Sequence, residues 1–164
     1  MAGRNEPDVI RVLTDLLDEG FDRPGWHGPN LRGALRGLTA AAAARRPGPG
    51  RHCIWEIALH CAYWKYAVRR RLAGGGARGL FPRRPSNFPR LPERPEASAW
   101  KADLLLLDEM HGLLRGTVAS FPARRLGERL GKSTAGRLIY GIAAHDLYHA
   151  GQVRLLIKLI GAKR

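Results

Sequence analysis

The sequence predicts an all-α protein, a bundle of four amphipathic helices, and three observations carry that expectation. Apolar residues recur at three- and four-residue steps through four segments, and nowhere do they alternate over the length of a strand. Capping residues open these segments, and glycine- or proline-rich breaks close them. A length of 164 residues with 45% hydrophobic content allows one domain with a real core, 1–164, and leaves little for a second.

The first helix opens with Asn5 as N-cap and holds Pro7 and Asp8 in its first turn. Val9, Ile10, Leu13, Leu16 and Leu17 form its apolar stripe, and Gly20 ends it. After a break over 21–28, Pro29 restarts a short helix carrying Leu31, Ala34, Leu35 and Leu38. Thr39 caps the alanine-rich turn behind it, and Pro47-Gly48-Pro49-Gly50 stops that turn. The second long helix runs from about His52 to Leu72, where Gly74-Gly75-Gly76 halts it.

Pro82, Pro85, Pro89, Pro92 and Pro95 then forbid a helix and make 77–97 an extended crossover along the surface. Such a length is unusual inside a compact domain and points to a functional or interface role. The third helix begins at Ser98, runs through Trp100, Leu104, Leu107 and Met110, and fades near Ala119. The fourth follows Ser133 or Thr134 and continues to about Ile160, with Gly161 as its stop.

Composition narrows the function classes. The formal net charge is +14 and the pI ≈ 11.1. That balance raises nucleic acid or phosphate as a partner, but the basic residues are scattered rather than striped, which keeps this as the alternative reading. No run nears the roughly 18 apolar residues of a membrane span, so no membrane role is expected. The opening Met-Ala-Gly-Arg-Asn-Glu-Pro-Asp has no apolar signal region, and a cytoplasmic protein is expected. Cys53 and Cys61 share one helix with Cα atoms roughly 12 Å apart, beyond disulfide reach. Unpaired cysteines fit a reducing compartment.

The chemistry concentrates in His145-Asp146-Leu147-Tyr148-His149, which sets two imidazoles one turn apart on the same face. Leu138, Ile142, His145, His149, Gln152 and Leu156 fall within about 40° of one line along the helix. That line is otherwise apolar and must face the bundle. Two imidazoles there are costly unless something satisfies their nitrogens, and a divalent metal ion does so. His60 is the candidate third ligand, sharing a face with Cys53, Glu56, Trp64 and Ala67. From the residues alone, His60 is equally well a core histidine bonded to Glu56. As a ligand set, three neutral histidines leave open coordination and an uncancelled +2 charge, which lowers the pKa of a bound water or thiol. Glu56, Asp146 and Gln152 are the candidates to orient the imidazoles.

The stretch Ile54-Trp55-Glu56-Ile57-Ala58-Leu59-His60, followed by Trp64, resembles the second helix of the DinB superfamily. His145-Asp146-Leu147-Tyr148-His149-Ala150-Gly151-Gln152 is similar to that family's signature in the fourth helix. Trp26-His27-Gly28-Pro29 and Arg45-Arg46-Pro47 add weaker likenesses, so the resemblance spans nearly the whole chain. It implies a single DinB-like domain, an up-down-down-up four-helix bundle with a long crossover between helices two and three. It also implies a centre of His60, His145 and His149 for one divalent ion (Zn, Ni, Mn or Fe). Some relatives are metal-dependent transferases that use a low-molecular-weight thiol, and related proteins are commonly homodimers. The resulting expectation is a metal-dependent hydrolase or thiol S-transferase acting on a small molecule. A basic nucleic-acid- or phosphate-binding bundle, or a metal-binding bundle without catalysis, is the alternative.

Other residues carry blander expectations. Trp64 and His27 are candidates to line the pocket mouth, although His27 equally caps a loop. His52 reads as an N-cap or surface residue, Cys61 as core filler, and His111 has no partner signal. Arg69-Arg70-Arg71 suits the dipole at the end of its helix.

Overall fold

The computed structural model describes residues 6–75 and 80–162, and within the first helix the side chains from Val9 onward. Asn5, Gly76 and residues 77–79 of the crossover lie outside the described residues. Six α-helices follow in chain order among the described residues: α1 (Glu6–Phe21), α2 (Leu31–Leu35), α3 (Ala40–Ala44), α4 (Ile54–Leu72), α5 (Ala97–Ala119) and α6 (Ala135–Leu159). Among the described residues the only strands are Arg129–Leu130 and Ser133–Thr134, a hairpin turning at Gly131, whose φ is 69°. Two residues per strand are too few to show a period of two, which is why the pattern did not announce them. No helix among the described residues is long and apolar enough to cross a membrane.

Local chemistry sets the boundaries. Asn30 and Thr39 cap α2 and α3, their side-chain oxygens accepting from the N–H groups of Gly33 and Ala42. Thr134 caps α6 in the same way, through the Arg137 N–H. Glu56 turns back to accept from the Cys53 N–H at 3.0 Å at the start of α4. Gly74, Gly75 and Gly161 adopt left-handed φ where α4 and α6 stop.

Gly20 departs from the expectation, because α1 continues to Phe21. Its lack of a side chain serves packing instead: a Cβ there would sit 3.0 Å from the Ala143 carbonyl oxygen of α6. Gly20→Ala should therefore destabilise the protein by about 1–3 kcal/mol, although alanine is the better helix former. Urea unfolding checks this, and a stabilised variant would contradict the close α1–α6 approach.

The four long helices pack on one another, α4 against α5 and α6, and α1 against the same two. The core has two apolar parts. One gathers around Leu31, Trp55, Leu59, Leu107 and Val153, the other around Leu17, Val68, Leu114, Val118 and Ile139. Where they meet, each long helix contributes one buried ionisable residue: Asp18, Lys65, His111 and Asp146. Lys65 donates to Asp146, with both side chains wholly buried. The Lys65 Nζ also lies 3.4 Å from His111 Nδ1, and His111 Nε2 is 3.8 Å from Asp18. Asp18 in turn accepts two bonds from Arg115, at 2.7 and 2.9 Å. His111, expected to be without a partner, stacks on Phe21 at 3.9 Å and joins this layer.

Burial, reinforced by the Lys65 ammonium, holds the His111 imidazole down at about 3. An unfolded histidine titrates near 6.5, so between those values the unfolded chain binds the extra proton. This contribution is present above pH 6.5 and is lost as pH falls through that window. His111 alone should cost on the order of 2 kcal/mol between pH 7.5 and 5. Urea titrations of the metal-free parent and of His111→Phe at the two pH values provide the check, since His60, His145 and Asp146 titrate in the same window. An equal pH dependence in both proteins would overturn it.

Candidate metal centre

His60 sits in the second turn of α4, and His145 and His149 lie one turn apart on α6. The packing of α4 on α6 brings three Nε2 atoms together. His145 Nε2 is 3.1 Å from His60 Nε2 and 3.1 Å from His149 Nε2.

The other ring nitrogens determine which atoms carry protons. His60 Nδ1 lies 3.1 Å from the Asn87 carbonyl oxygen, an obligate acceptor, so Nδ1 holds the proton and Nε2 a lone pair. His149 Nδ1 donates to Gln152 Oε1 at 2.7 Å, and Gln152 passes its own N–H to the Tyr148 hydroxyl at 3.0 Å. His145 Nδ1 is buried without a hydrogen-bond partner among the described residues. Three converging nitrogens therefore share at most one proton, and at least one lone-pair contact is uncompensated by hydrogen bonding alone.

Burial keeps all three imidazoles neutral. Desolvation, with His149 adjacent, holds His60 down at about 4. Desolvation, with His149 and His60 adjacent, holds His145 at about 3. Burial also lowers His149, against the bond to Gln152. Neutral imidazoles with free lone pairs are what a divalent ion requires. The spacing is near what one would need: nitrogens bound to a shared tetrahedral ion lie roughly 3.4 Å apart, a few tenths of an ångström more than the two contacts to His145. The three residues form a group that could hold a metal ion.

The crossover completes the setting. Asn87 adopts a left-handed φ of 74°, which turns its carbonyl to His60 while its side-chain oxygen accepts from Trp64 Nε1 at 2.8 Å. Phe88 stacks between His60 at 4.2 Å and His52 at 3.8 Å. Arg83 anchors the segment, donating to Asp103 at 2.8 Å, and Asp103 also accepts from Trp55 Nε1. No periodicity in a proline-rich stretch marks Asn87 or Phe88, and sequence reasoning missed both.

The remaining candidates divide. Trp64 lies beside His145 and lines a recess of about 150 Å³ with it. Gln152 meets His149 as described. Glu56 orients none of the three imidazoles: its oxygens take two bonds from Arg46, one from the Cys53 N–H and a contact with His52. It shares a face with His60 but sits a turn nearer the helix start, where it acts as a cap. Asp146 serves the Lys65 ammonium rather than an imidazole. His27 lines a separate recess with Pro29 and Arg154, away from the three histidines.

Cys61, His145 and Asp146 form a second close group. Two facts count against an ion there. Asp146 already has a cation in Lys65, and burial pushes the Cys61 thiol well above its usual range. Both cysteines are free and buried.

No curated protein and no solved structure is matched by this chain. A family model, described as the DinB superfamily, matches residues 26–153. That span holds both histidine-bearing helices and the crossover between them, and it covers most of the chain. The protein belongs to the DinB superfamily.

Proposed function

We propose that this protein is a metal-dependent hydrolase or thiol S-transferase, with His60, His145 and His149 holding one divalent ion. The four long helices are read as the up-down-down-up bundle of the family, with the crossover between α4 and α5. The observation that supports the metal most directly is the convergence of three Nε2 atoms at 3.1 Å contacts, with two of the Nδ1 protons committed elsewhere. When bound, the ion supplies Lewis acidity and lowers the pKa of a coordinated water or thiol. The chain's own contribution is positional. The Asn87 carbonyl and Gln152 fix two ring tautomers, Phe88 fixes the plane of His60, and Trp64 flanks His145. None of the three ligands is anionic, so the ion's charge would reach the substrate undiminished. We further propose a homodimer, on the family likeness, and a cytoplasmic setting, on the unpaired cysteines.

The test is elemental analysis after incubation with Zn²⁺, Ni²⁺ or Mn²⁺ and desalting. About one ion per chain is expected, and a chain that stays metal-free with all three overturns the reading.

A further inference from the structure

Beside His149 opens a cavity of about 880 Å³, large enough for a drug-sized molecule. Its polarity changes along its length. Leu155, Leu156 and Leu159 line it from the last turns of α6, and Leu159 lies roughly 15 Å along the helix from His149. The 45–52 loop forms the facing wall. Arg45 donates to the Ile160 carbonyl oxygen at 2.8 Å, which ties the start of this loop to the far end of α6. At its other end His52 stacks on Phe88, which stacks on His60. Pro47 and Pro49 thus belong to the end near Leu159, and Arg51 to the end near the histidines.

The charged side chain lining this trough is a cation, and the nearest carboxylate, Glu56 behind the His52 wall, is paired with Arg46. Arg51 lines it, no Asp or Glu does among the described residues, and no side chain there pairs with the Arg51 guanidinium. Leu155 and Leu159 are 57% and 64% exposed and stand one helical turn apart, so with Leu156 they give the trough a continuous apolar stretch. A ligand matching both ends has an anionic head and an extended apolar tail.

We propose that this trough binds an amphiphilic carboxylate, its head toward Arg51 and the histidines and its chain along Leu155, Leu156 and Leu159. That the occupant is a substrate rests on the metal centre proposed above; that it binds does not.

Calorimetry on the full chain, stripped with EDTA and separately loaded with Zn²⁺, tests the proposal with decanoate as probe. One decanoate per chain is expected in both forms, with affinity falling about two- to fourfold per methylene removed toward butyrate. Arg51→Gln should weaken binding about tenfold, and Leu155→Asp, at an exposed position, should abolish it without changing the thermal melt. Decyltrimethylammonium binding as tightly as decanoate would overturn the proposal, and so would unchanged affinity in both variants. Light scattering that shows a dimer reduced to monomer by Leu155→Asp would assign the leucines to an interface between copies and overturn it as well. Decanoate binding without Zn²⁺ binding removes the metal centre and keeps the trough; the reverse result removes only the trough.

Discussion

Replacing His145 with alanine is expected to weaken divalent-metal binding by more than about a hundredfold, beyond the range produced by losing an orienting neighbour. His145 is central to the proposed ligand set, with its Nε2 3.1 Å from both other Nε2 atoms. Metal-free stability should respond differently. His145 is only half-buried and its Nδ1 lacks a hydrogen-bond partner among the described residues, so truncation removes an unsatisfied polar atom. Zn²⁺ titration against a chelating indicator, paired with urea unfolding of the metal-free protein, separates the two effects. A variant that binds Zn²⁺ as the parent does would remove His145 from the ligand set.

Asp146→Leu should produce the largest loss of stability, about 3–5 kcal/mol, because it strands the Lys65 ammonium inside the core. Burial raises the Asp146 carboxyl to about 6 against the pull of that ammonium, so the pair is held at a desolvation cost. Lys65→Met should be destabilising too, by leaving the carboxylate alone. The double variant Lys65→Met, Asp146→Leu should lose less than either single change, since two apolar residues of similar volume need no partner. Additive losses in a double-mutant cycle by urea unfolding would mean that the two side chains are not coupled.

Much of this architecture was legible in the residues. Helix starts at Thr39 and Thr134 follow from capping chemistry, which is local, whereas at α4 the cap is Cys53 with Glu56 rather than the His52 that the residues suggested. His145 and His149 were legible for the same reason, because their spacing fixes one face and one turn. His60 needed more, since an angle on one helix does not say what faces it from another. Glu56 shows that limit: it has the right angle and the wrong height. Lys65 left a signal that went unread, a cation in phase with Ala58, Cys61, Val68 and Leu72, all buried. Asn87 and Phe88 left none, because an aperiodic strap is positioned only by the completed tertiary structure. His27 was placed by adjacency to Trp26, and the exposed turn carries both away from the site.

The layer of Asp18, Lys65, His111 and Asp146 has a consequence for alignment. Apolar helix faces tolerate sliding, because one leucine meets another nearly as well a turn away. Sliding α6 by one turn relative to α4 would carry Asp146 about 5.4 Å from Lys65 and leave two charges unpaired in the core. The same displacement would part His60 from His145 and His149. The ion pair therefore acts as a detent between α4 and α6, holding the two helices at the one axial position in which all three imidazoles meet.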